Sequence, residues 1–271
     1  MNDEAIIHPF RKNARKRFGQ NFLQDTHIIQ AIIDAINPKP EQFLLEIGPG
    51  QGALTFPVLK QAKQLTAIEI DRDLIASLHS IRHTLSEQFN LIEADALTFD
   101  YASLKTNREE KIRVYGNLPY NITSPLLFRL LSFIHIIQDG HFMVQKEVAE
   151  RIAAEPGSKD YGRLSVMIQY YCQAEILFDV GPEAFYPKPK VNSSIIRLIP
   201  YDQSPYDYVP QAALESVVKQ SFAHRRKTLR NNLKGLLSEQ HWQKLNINPQ
   251  LRPEELSISQ FVSITQIVLD S

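Results

Sequence analysis

Hydrophobic and polar positions in the first half of the chain follow two alternating periods, which predicts a series of helices and strands. Segment 27–36, HIIQAIIDAI, has apolar residues at helical spacing behind Asp25, a suitable N-cap residue. Because strands that alternate with helices form a parallel sheet covered on both faces, we predict an α/β fold. The predicted strands are FLLEIG (43–48), LTAIEID (65–71), NLIEAD (90–95) and IRVYGN (112–117).

The second half predicts more strands and then a helical domain. Candidate strands are HFMVQK (141–146), AEILFDV (174–180) and SSIIRLI (193–199), and the proline-rich loop between the last two indicates an antiparallel pair at one edge. Residues 200–210, PYDQSPYDYVP, are rich in proline and suit a linker. We predict one domain over residues 1–202 and a small helical domain over residues 203–271, with helices at 211–222, 224–237 and 257–269.

The 30 basic and 30 acidic residues cancel, so the net charge indicates no partner. The placement of the charges along the chain is informative instead. Segments 11–17 and 216–238 hold basic residues without a single acid. A single charge run is usually a solvated helix face, but phosphate binding needs acid-free clusters, and the presence of two of them predicts a nucleic-acid partner. The basic residues are Arg11, Lys12, Arg15, Lys16 and Arg17 in the first segment, and Lys219, Arg225, Arg226, Lys227, Arg230 and Lys234 in the second.

Cysteine, histidine and hydropathy narrow the class of protein. Cys172 is the only cysteine, which excludes an internal disulfide and fits a reducing compartment. The eight histidines lack metal-ligand spacing, and no apolar run has the roughly 18 residues of a membrane span or the core of a signal peptide. We predict a cytoplasmic monomer that holds no metal.

The glycine loop EIGPGQGALT (46–55) follows a predicted strand and precedes a helix. Gly48 and Gly50 allow a tight turn whose backbone can approach a ligand, and Glu69, about 20 residues on at the end of the next strand, is placed for ribose hydroxyls. A turn without a ligand is the simpler alternative. The same loop also satisfies the GxGxxA form of a dinucleotide site, so it cannot separate NAD from S-adenosylmethionine.

Polar residues also follow the third and fourth predicted strands. Asp95 could accept from the amino group of an adenine, although a turn cap explains it equally well when taken alone. In NLPY, Pro119 restricts Leu118 to extended geometry, so the Leu118 carbonyl and the Asn117 side-chain oxygen can converge on an adenine amine while Tyr120 stacks on the base. The alternative is a proline turn with a half-buried tyrosine.

The loop EAFYPKPKVNS (183–193) is stiffened by two prolines, and Phe185 could present a second ring to the base. A rigid surface loop with a phenylalanine anchored in the core is an equal alternative.

Several motifs together resemble one family, the KsgA-type small-subunit ribosomal RNA adenine dimethyltransferases. The resemblance runs from about residue 17 to the C-terminal segment and keeps the motifs in order. They are GQNFL (19–23), EIGPGQGALT (46–55), NLPYNI (117–122), FMVQKEVAERI (142–152), YGRLSV (161–166), FYPKPKVNS (185–193) and RRKTLRNNL (225–233).

The resemblance implies a Rossmann-like methyltransferase domain followed by a helical domain that recognises RNA. It implies S-adenosylmethionine as cofactor and two methyl groups on the amine of each of two adjacent adenosines, in the 3′-terminal hairpin loop of small-subunit RNA. The implied cofactor site consists of Asn21, Leu23, Gly48, Gly50, Glu69, Asp95 and Asn117. The implied catalytic residues are Asn117, Leu118, Pro119, Tyr120 and Phe185, and the predicted RNA-binding residues are Lys190, Arg225, Arg226, Lys227 and Arg230.

Three other functions stay open at the level of sequence. A methyltransferase of large-subunit RNA shares the core motifs, and the RRKTLRNNL stretch favours the small subunit over it. A ribosome-assembly factor that binds RNA as a checkpoint, with catalysis secondary or lost, is another alternative, and the intact NLPY segment and glycine loop argue against a loss of catalysis. An NAD-dependent oxidoreductase would explain the glycine loop alone.

Overall fold

The structure, a computed structural model, describes residues 20–82, 88–104 and 110–271. The basic cluster predicted at residues 11–17 lies outside the described residues. The strands are β1 (Phe22–Leu23), β2 (Phe43–Ile47), β3 (Leu65–Glu69), β4 (Phe89–Glu93), β5 (Ile112–Asn117), β6 (Ile137–Gln145), β7 (Cys172–Val180), β8 (Phe185–Tyr186) and β9 (Ser193–Pro200). The α-helices are α1 (Thr26–Ile36), α2 (Thr55–Leu59), α3 (Arg72–Arg82), α4 (Thr123–Leu131), α5 (Lys146–Ala153), α6 (Arg163–Tyr171), α7 (Gln211–Ser221), α8 (Leu229–Asn232), α9 (Glu239–Leu245) and α10 (Ile258–Leu269).

The chain divides into two compact units, and the first consists of the described residues up to Ala149 together with Glu175–Pro200. The second unit consists of Glu150–Ala174 and Tyr201–Ser271. One crossing between the units lies between Pro200 and Tyr201, inside the proline-rich segment that was predicted to be a linker. Residues 150–174, which the sequence analysis assigned to the first domain, cluster with the second unit, because α6 packs on α7 and α10.

A seven-stranded sheet in the order β4-β3-β2-β5-β6-β9-β7 confirms the predicted α/β class. The pairs β4/β3, β3/β2, β2/β5 and β5/β6 are parallel, whereas β9 runs antiparallel to β6. β7 and β9, the predicted edge pair, are neighbours at the end of the sheet. A second, two-stranded sheet pairs Leu23 of β1 with Phe185 of β8.

Local signals explain why the first helix and the central strands form where they do. The side chain of Asp25 accepts hydrogen bonds from the backbone N–H groups of His27 and Ile28, at 2.9 and 3.2 Å, so the predicted N-cap is confirmed. Helix α1 then buries an isoleucine face against the core. The strand β3 is buried along its whole length, as expected of a parallel strand covered on both faces.

The strand order reverses between β2 and β5, which is where open α/β sheets bind ligands. Gly116 allows these two strands to approach closely at their carboxyl ends. A Cβ atom at this position would lie 2.3 Å from the carbonyl oxygen of Ile47, closer than any side chain tolerates. The glycine therefore brings the glycine loop after β2 and the NLPY segment after β5 to one place.

The second unit is built on the helices α6, α7 and α10, and its core includes Leu214, Val218 and Phe261, all fully buried. The predicted helix at 257–269 is confirmed by α10, where Ser257 caps the backbone N–H of Gln260. The predicted helix at 211–222 is confirmed by α7.

The predicted helix at 224–237 is wrong, because only α8 forms within it. Residues 223–228 instead form an irregular loop that carries the basic run. Asn232 holds this loop through its side-chain amide, which donates to the carbonyls of His224 and Lys227 at 3.2 and 3.3 Å. The Asn232 amide thus satisfies carbonyls that a helix would use for its own hydrogen bonds, which favours the loop over a helix.

Candidate active site

A cavity of about 210 Å³ lies at the carboxyl edge of the sheet in the first unit. The structure brings every residue predicted for the cofactor site to its wall. Four of the five predicted catalytic residues line it as well. The lining residues that were predicted are Asn21, Leu23, Gly48, Gly50, Glu69, Asp95, Asn117, Leu118, Pro119 and Tyr120.

The glycine loop after β2 adopts a conformation that L-residues with side chains rarely take. Gly48 and Gly50 have φ angles of 68° and 57°, in the left-handed region. A Cβ atom on Gly50 would also meet the ring of Phe22 at 3.4 Å, so the loop backbone packs closely under β1. The result is a bare backbone wall on one side of the cavity.

Glu69 at the end of β3 is held by three backbone N–H groups. Its Oε1 accepts from Ile70 and Asp71 at 2.9 Å each, and its Oε2 accepts from Gly50 at 3.4 Å. Burial raises the pKa of this carboxyl, while these hydrogen bonds oppose the rise. The arrangement fixes the carboxylate beside the glycine loop.

Asp95 shapes the turn after β4. Its Oδ1 accepts from the backbone N–H of Leu97 at 2.9 Å, which makes the turn cap that was the alternative interpretation. Among the described residues, no donor reaches its Oδ2. The same carboxylate can therefore cap the turn with one oxygen and accept from a ligand with the other.

Glu46 and Ile70 are among the lining residues that were not identified from the sequence. Glu46 is 2% exposed, and its Oε2 accepts from the hydroxyls of Thr55 and Tyr115 at 2.7 and 3.2 Å. Burial raises the pKa of Glu46 to about 7. A carboxylate inside the otherwise apolar run FLLEI was the available signal for it, whereas nothing in the sequence singles out Ile70, whose apolar side chain is 48% exposed at the cavity.

The NLPY segment presents its polar atoms in a defined orientation. The side-chain nitrogen of Asn117 donates to the backbone carbonyl of Asn21 at 3.0 Å, so the side-chain oxygen is the atom that remains to accept. Leu118 donates its N–H to the carbonyl of Met143 at 3.1 Å. No donor within the described parts of the chain reaches the Asn117 side-chain oxygen or the Leu118 carbonyl. Two acceptors on adjacent residues are thus left without a donor by the described residues.

The two predicted stacking rings lie in different places. Tyr120 is half-buried and lines the cavity, and its hydroxyl is 2.8 Å from the Oγ of Ser193. Phe185 is 3% exposed and packs in the hydrophobic core with Leu23 and Ile29. The structure therefore brings Tyr120 to the cavity and holds Phe185 in the core, which was the alternative interpretation of that loop.

The cavity is acidic. Glu46, Glu69 and Asp95 contribute three carboxyl groups, and no Lys or Arg is found among the described residues that line it. A concave site of this charge favours a cationic ligand over an anionic one.

The predicted RNA-binding residues differ in whether a carboxylate pairs with their charge. Arg226, Lys227 and Lys190 are exposed, the first two in the loop before α8 and the third in the loop after β8. Arg225 donates to the backbone carbonyl of Lys159, and no carboxylate in the described parts of the chain pairs with it. Arg230 instead forms a two-pronged ion pair with Glu239, with N···O distances of 3.0 and 3.1 Å.

In the parts of the chain that the structure covers, no helix has the length and apolar character needed to cross a bilayer. In the same parts, no group of three or more His, Cys, Asp and Glu side chains is placed to hold a metal ion.

Comparisons with known proteins show the family of this chain. The family described as "Ribosomal RNA adenine dimethylase" matches residues 11–270. The "Ribosomal RNA small subunit methyltransferase A" of Hahella chejuensis is 54% identical over 257 residues, which cover 95% of this chain and 93% of that protein.

Two solved structures extend the agreement to the fold. A dimethyladenosine transferase from Plasmodium falciparum has a TM-score of 0.76 at 25% identity, over 90% of this chain and 95% of that one. The 23S rRNA methyltransferase ErmE has a TM-score of 0.68 at 25% identity, over 93% of this chain and 100% of that one. The predicted Rossmann-like methyltransferase fold is thereby confirmed, and the chain belongs to the ribosomal RNA adenine dimethylase family.

Proposed function

We propose that this protein transfers methyl groups from S-adenosylmethionine to the exocyclic 6-amino groups of two adjacent adenosines in the 3′-terminal hairpin loop of small-subunit ribosomal RNA, during assembly of the subunit. One observation carries the proposal: the Asn117 amide is turned by Asn21 so that its oxygen remains an acceptor, at the wall of an acidic cavity. We further propose that the protein acts as a cytoplasmic monomer.

The family and the fold imply a methyl donor of the S-adenosylmethionine type, and the cavity residues fit it. When bound, this cofactor supplies an electrophilic methyl group on a positively charged sulfur. Glu69 would accept from ribose hydroxyls, and Asp95 would accept from the adenine amine of the cofactor while Ile70 covers its ring. Asn21, Leu23, Gly48 and Gly50 would complete the binding site.

Asn117 and Leu118 would hold the amine of the target adenosine. The lone pair of this amine is delocalised into the ring, so the amine is a poor nucleophile. Two acceptors on its hydrogens favour the pyramidal form, which frees the lone pair to attack in line. The protein thus acts by positioning and electrostatic stabilisation and needs no strong base.

Tyr120 would stack on the target base, a contact worth roughly 1 to 3 kcal/mol. Pro119 supports it by keeping the preceding residue extended. Phe185 stays a predicted second ring, and that role requires its side chain to leave the core when RNA binds. Lys190, Arg225, Arg226 and Lys227 would contact RNA phosphates.

The charge of the cavity disfavours the NAD-dependent oxidoreductase. A dinucleotide carries an anionic pyrophosphate, which the carboxyls of Glu46, Glu69 and Asp95 would repel. The large-subunit alternative is disfavoured because the relative at 54% identity is named for the small subunit, whereas the 23S rRNA enzyme is 25% identical. A checkpoint factor without catalysis gives no reason for the orientation of Asn117.

Transfer of labelled methyl groups from S-adenosylmethionine to undermethylated small ribosomal subunits tests the proposal, with nucleoside analysis of the RNA. We expect dimethyladenosine on small subunits and none on large subunits. Asn117→Ala should lose about 10² to 10³ in turnover, because one preorganised acceptor is removed.

Asn90→Ala, at an exposed position of β4, is the matched control and should keep full activity. Circular dichroism verifies the fold of both variants. Near-normal turnover by Asn117→Ala would contradict the mechanism, and tight subunit binding without any transfer would favour the checkpoint function instead.

A further inference from the structure

The start of β9 belongs to the same site, because Ser193 reaches the ring that faces the cavity. Ser193 is fully buried and pairs with Gln145, the last residue of β6. Since β9 runs antiparallel to β6, its first residue lies at the carboxyl edge of the sheet, where the NLPY segment also begins. The Oγ of Ser193 is 2.8 Å from the hydroxyl oxygen of Tyr120.

The hydrogen bond to Ser193 fixes the hydroxyl end of the Tyr120 side chain, and the turn that carries Tyr120 fixes its backbone. The carbonyl of Pro119 accepts from the N–H of Ile122 and the hydroxyl of Thr123, at 3.1 Å each, which closes the turn that carries Tyr120. Burial raises the pKa of Tyr120, so the phenol stays protonated at neutral pH and can donate to Ser193. A ring held at both ends has little freedom to rotate.

The neighbouring serine provides a comparison inside the same strand. Ser194 is also fully buried, but its hydroxyl donates to Asp179 of β7 at 2.7 Å. Asp179 also pairs with Lys146 and is not part of the cavity wall. Successive residues of a strand face opposite sides, so the two hydroxyls serve different partners.

We propose that Ser193 is a positioning residue, which holds the Tyr120 ring in the orientation that receives the target adenine. The inference rests on the proposed function and adds to it a residue outside the NLPY segment. A serine hydroxyl can both donate and accept a hydrogen bond, so Ser193 can hold the phenol of Tyr120. Its side chain is also small enough for this position, which is closed to solvent.

Single-turnover methyl transfer to small subunits tests this role. Ser193→Ala should slow transfer about three- to tenfold, the effect of one net hydrogen bond, while the dissociation constants for S-adenosylmethionine and for the subunit change less than about twofold. Tyr120→Phe removes the other partner and should slow transfer equally. The double variant should be no slower than the single ones, because both remove the same interaction.

Ser194→Ala is the matched control, since it removes an equally buried hydroxyl from the next position and should transfer methyl at the wild-type rate. Wild-type transfer by Ser193→Ala, additive losses in the double variant, or equal slowing by Ser194→Ala would each overturn the inference. A wild-type protein that transfers no methyl would contradict the proposed function instead.

A measurement that does not depend on activity tests the role of Ser193 even if the wild-type protein transfers no methyl group. In protein labelled with ¹³C at the tyrosine ring, the Tyr120 signal, identified by its loss in Tyr120→Phe, should shift in Ser193→Ala and stay in place in Ser194→Ala. An unshifted signal in Ser193→Ala would overturn the inference whatever the protein catalyses.

Discussion

At the scale of single residues, the site depends on polar atoms that the protein orients but does not use itself. Asn117 donates an amide hydrogen to the carbonyl of Asn21, and no donor among the described residues reaches its side-chain oxygen. One carboxylate oxygen of Glu46 accepts hydrogen bonds from two hydroxyl groups, and no donor in the described residues reaches the other oxygen. A buried carboxyl that is half satisfied costs stability, which a cationic ligand would recover.

The pH dependence of stability should reveal this cost at Glu46. Burial raises its pKa from 4.5 to about 7, so the folded protein binds the proton more tightly than the unfolded chain does. The stability contributed by the protonated form is therefore present below pH 4.5 and is lost as the pH rises to about 7. Without cofactor, Glu46→Gln should be more stable than wild type at pH 8, by up to about 3 kcal/mol, and equal to it near pH 4.

Urea unfolding at the two pH values measures this difference, with Glu41→Gln at an exposed position as the control. A Glu46→Gln difference that is the same at both pH values would contradict the assigned cause. Because a cation favours the ionised carboxylate, the affinity of wild type for S-adenosylmethionine should also rise as the pH passes about 7, and this rise should be absent in Glu46→Gln.

At the scale of elements, the sequence predicts those parts of the fold that follow from local pattern. Apolar runs predict the parallel strands, and the residues after them, such as Glu69 and Asn117, therefore gather at one edge. The pattern fails where contacts distant in sequence decide the outcome. The pairing of β8 with β1 buries Phe185, and the hydroxyl of Tyr120 finds Ser193, which is 73 residues away.

The loop before α8 departs from the predicted helix for a different reason, because a single amide close in sequence, that of Asn232, sets its shape. Asn232→Ala removes both hydrogen bonds to the loop carbonyls. In this variant, part of the binding free energy must be used to order the basic residues when RNA binds. We expect RNA affinity to fall about three- to tenfold, as one to two hydrogen bonds would give, with S-adenosylmethionine affinity unchanged. Fluorescence anisotropy with a labelled RNA hairpin measures the effect.

The neighbouring Asn231 is a matched control for this variant. It is exposed, and its side chain donates to Thr228 at 3.2 Å instead of to the loop carbonyls. Asn231→Ala should bind RNA as wild type does, and thermal unfolding of both variants must show a folded second unit at the assay temperature. An equal loss in both variants would show that Asn232 has no special part in holding the loop.

At the scale of the whole molecule, a net charge of zero means that attraction to RNA depends on local clusters. The two compact units differ in this respect, since the first contains the acidic cavity and the second contains the loop with Arg225, Arg226 and Lys227. Under the proposed function, one chain would bind a cationic cofactor with the first unit and a polyanion with the second without a compromise in total charge.

Salt dependence should identify the charges that contact phosphates. Each neutralised phosphate contributes about 0.7 to 0.9 to the slope of log K against log salt, so Arg226→Ala combined with Lys227→Ala should lower the slope by about 1.4 to 1.8. Arg230→Ala should change it much less, because that guanidinium is already paired with Glu239. Anisotropy titrations of an RNA hairpin in rising KCl compare the variants.

If Arg230→Ala lowers the slope as much per residue as the double variant does, the ion pair opens on RNA and all of these charges act as one phosphate-binding surface. If neither variant changes the slope, the charges of the loop before α8 do not contact phosphates, and RNA attraction must come from other basic residues such as Lys190.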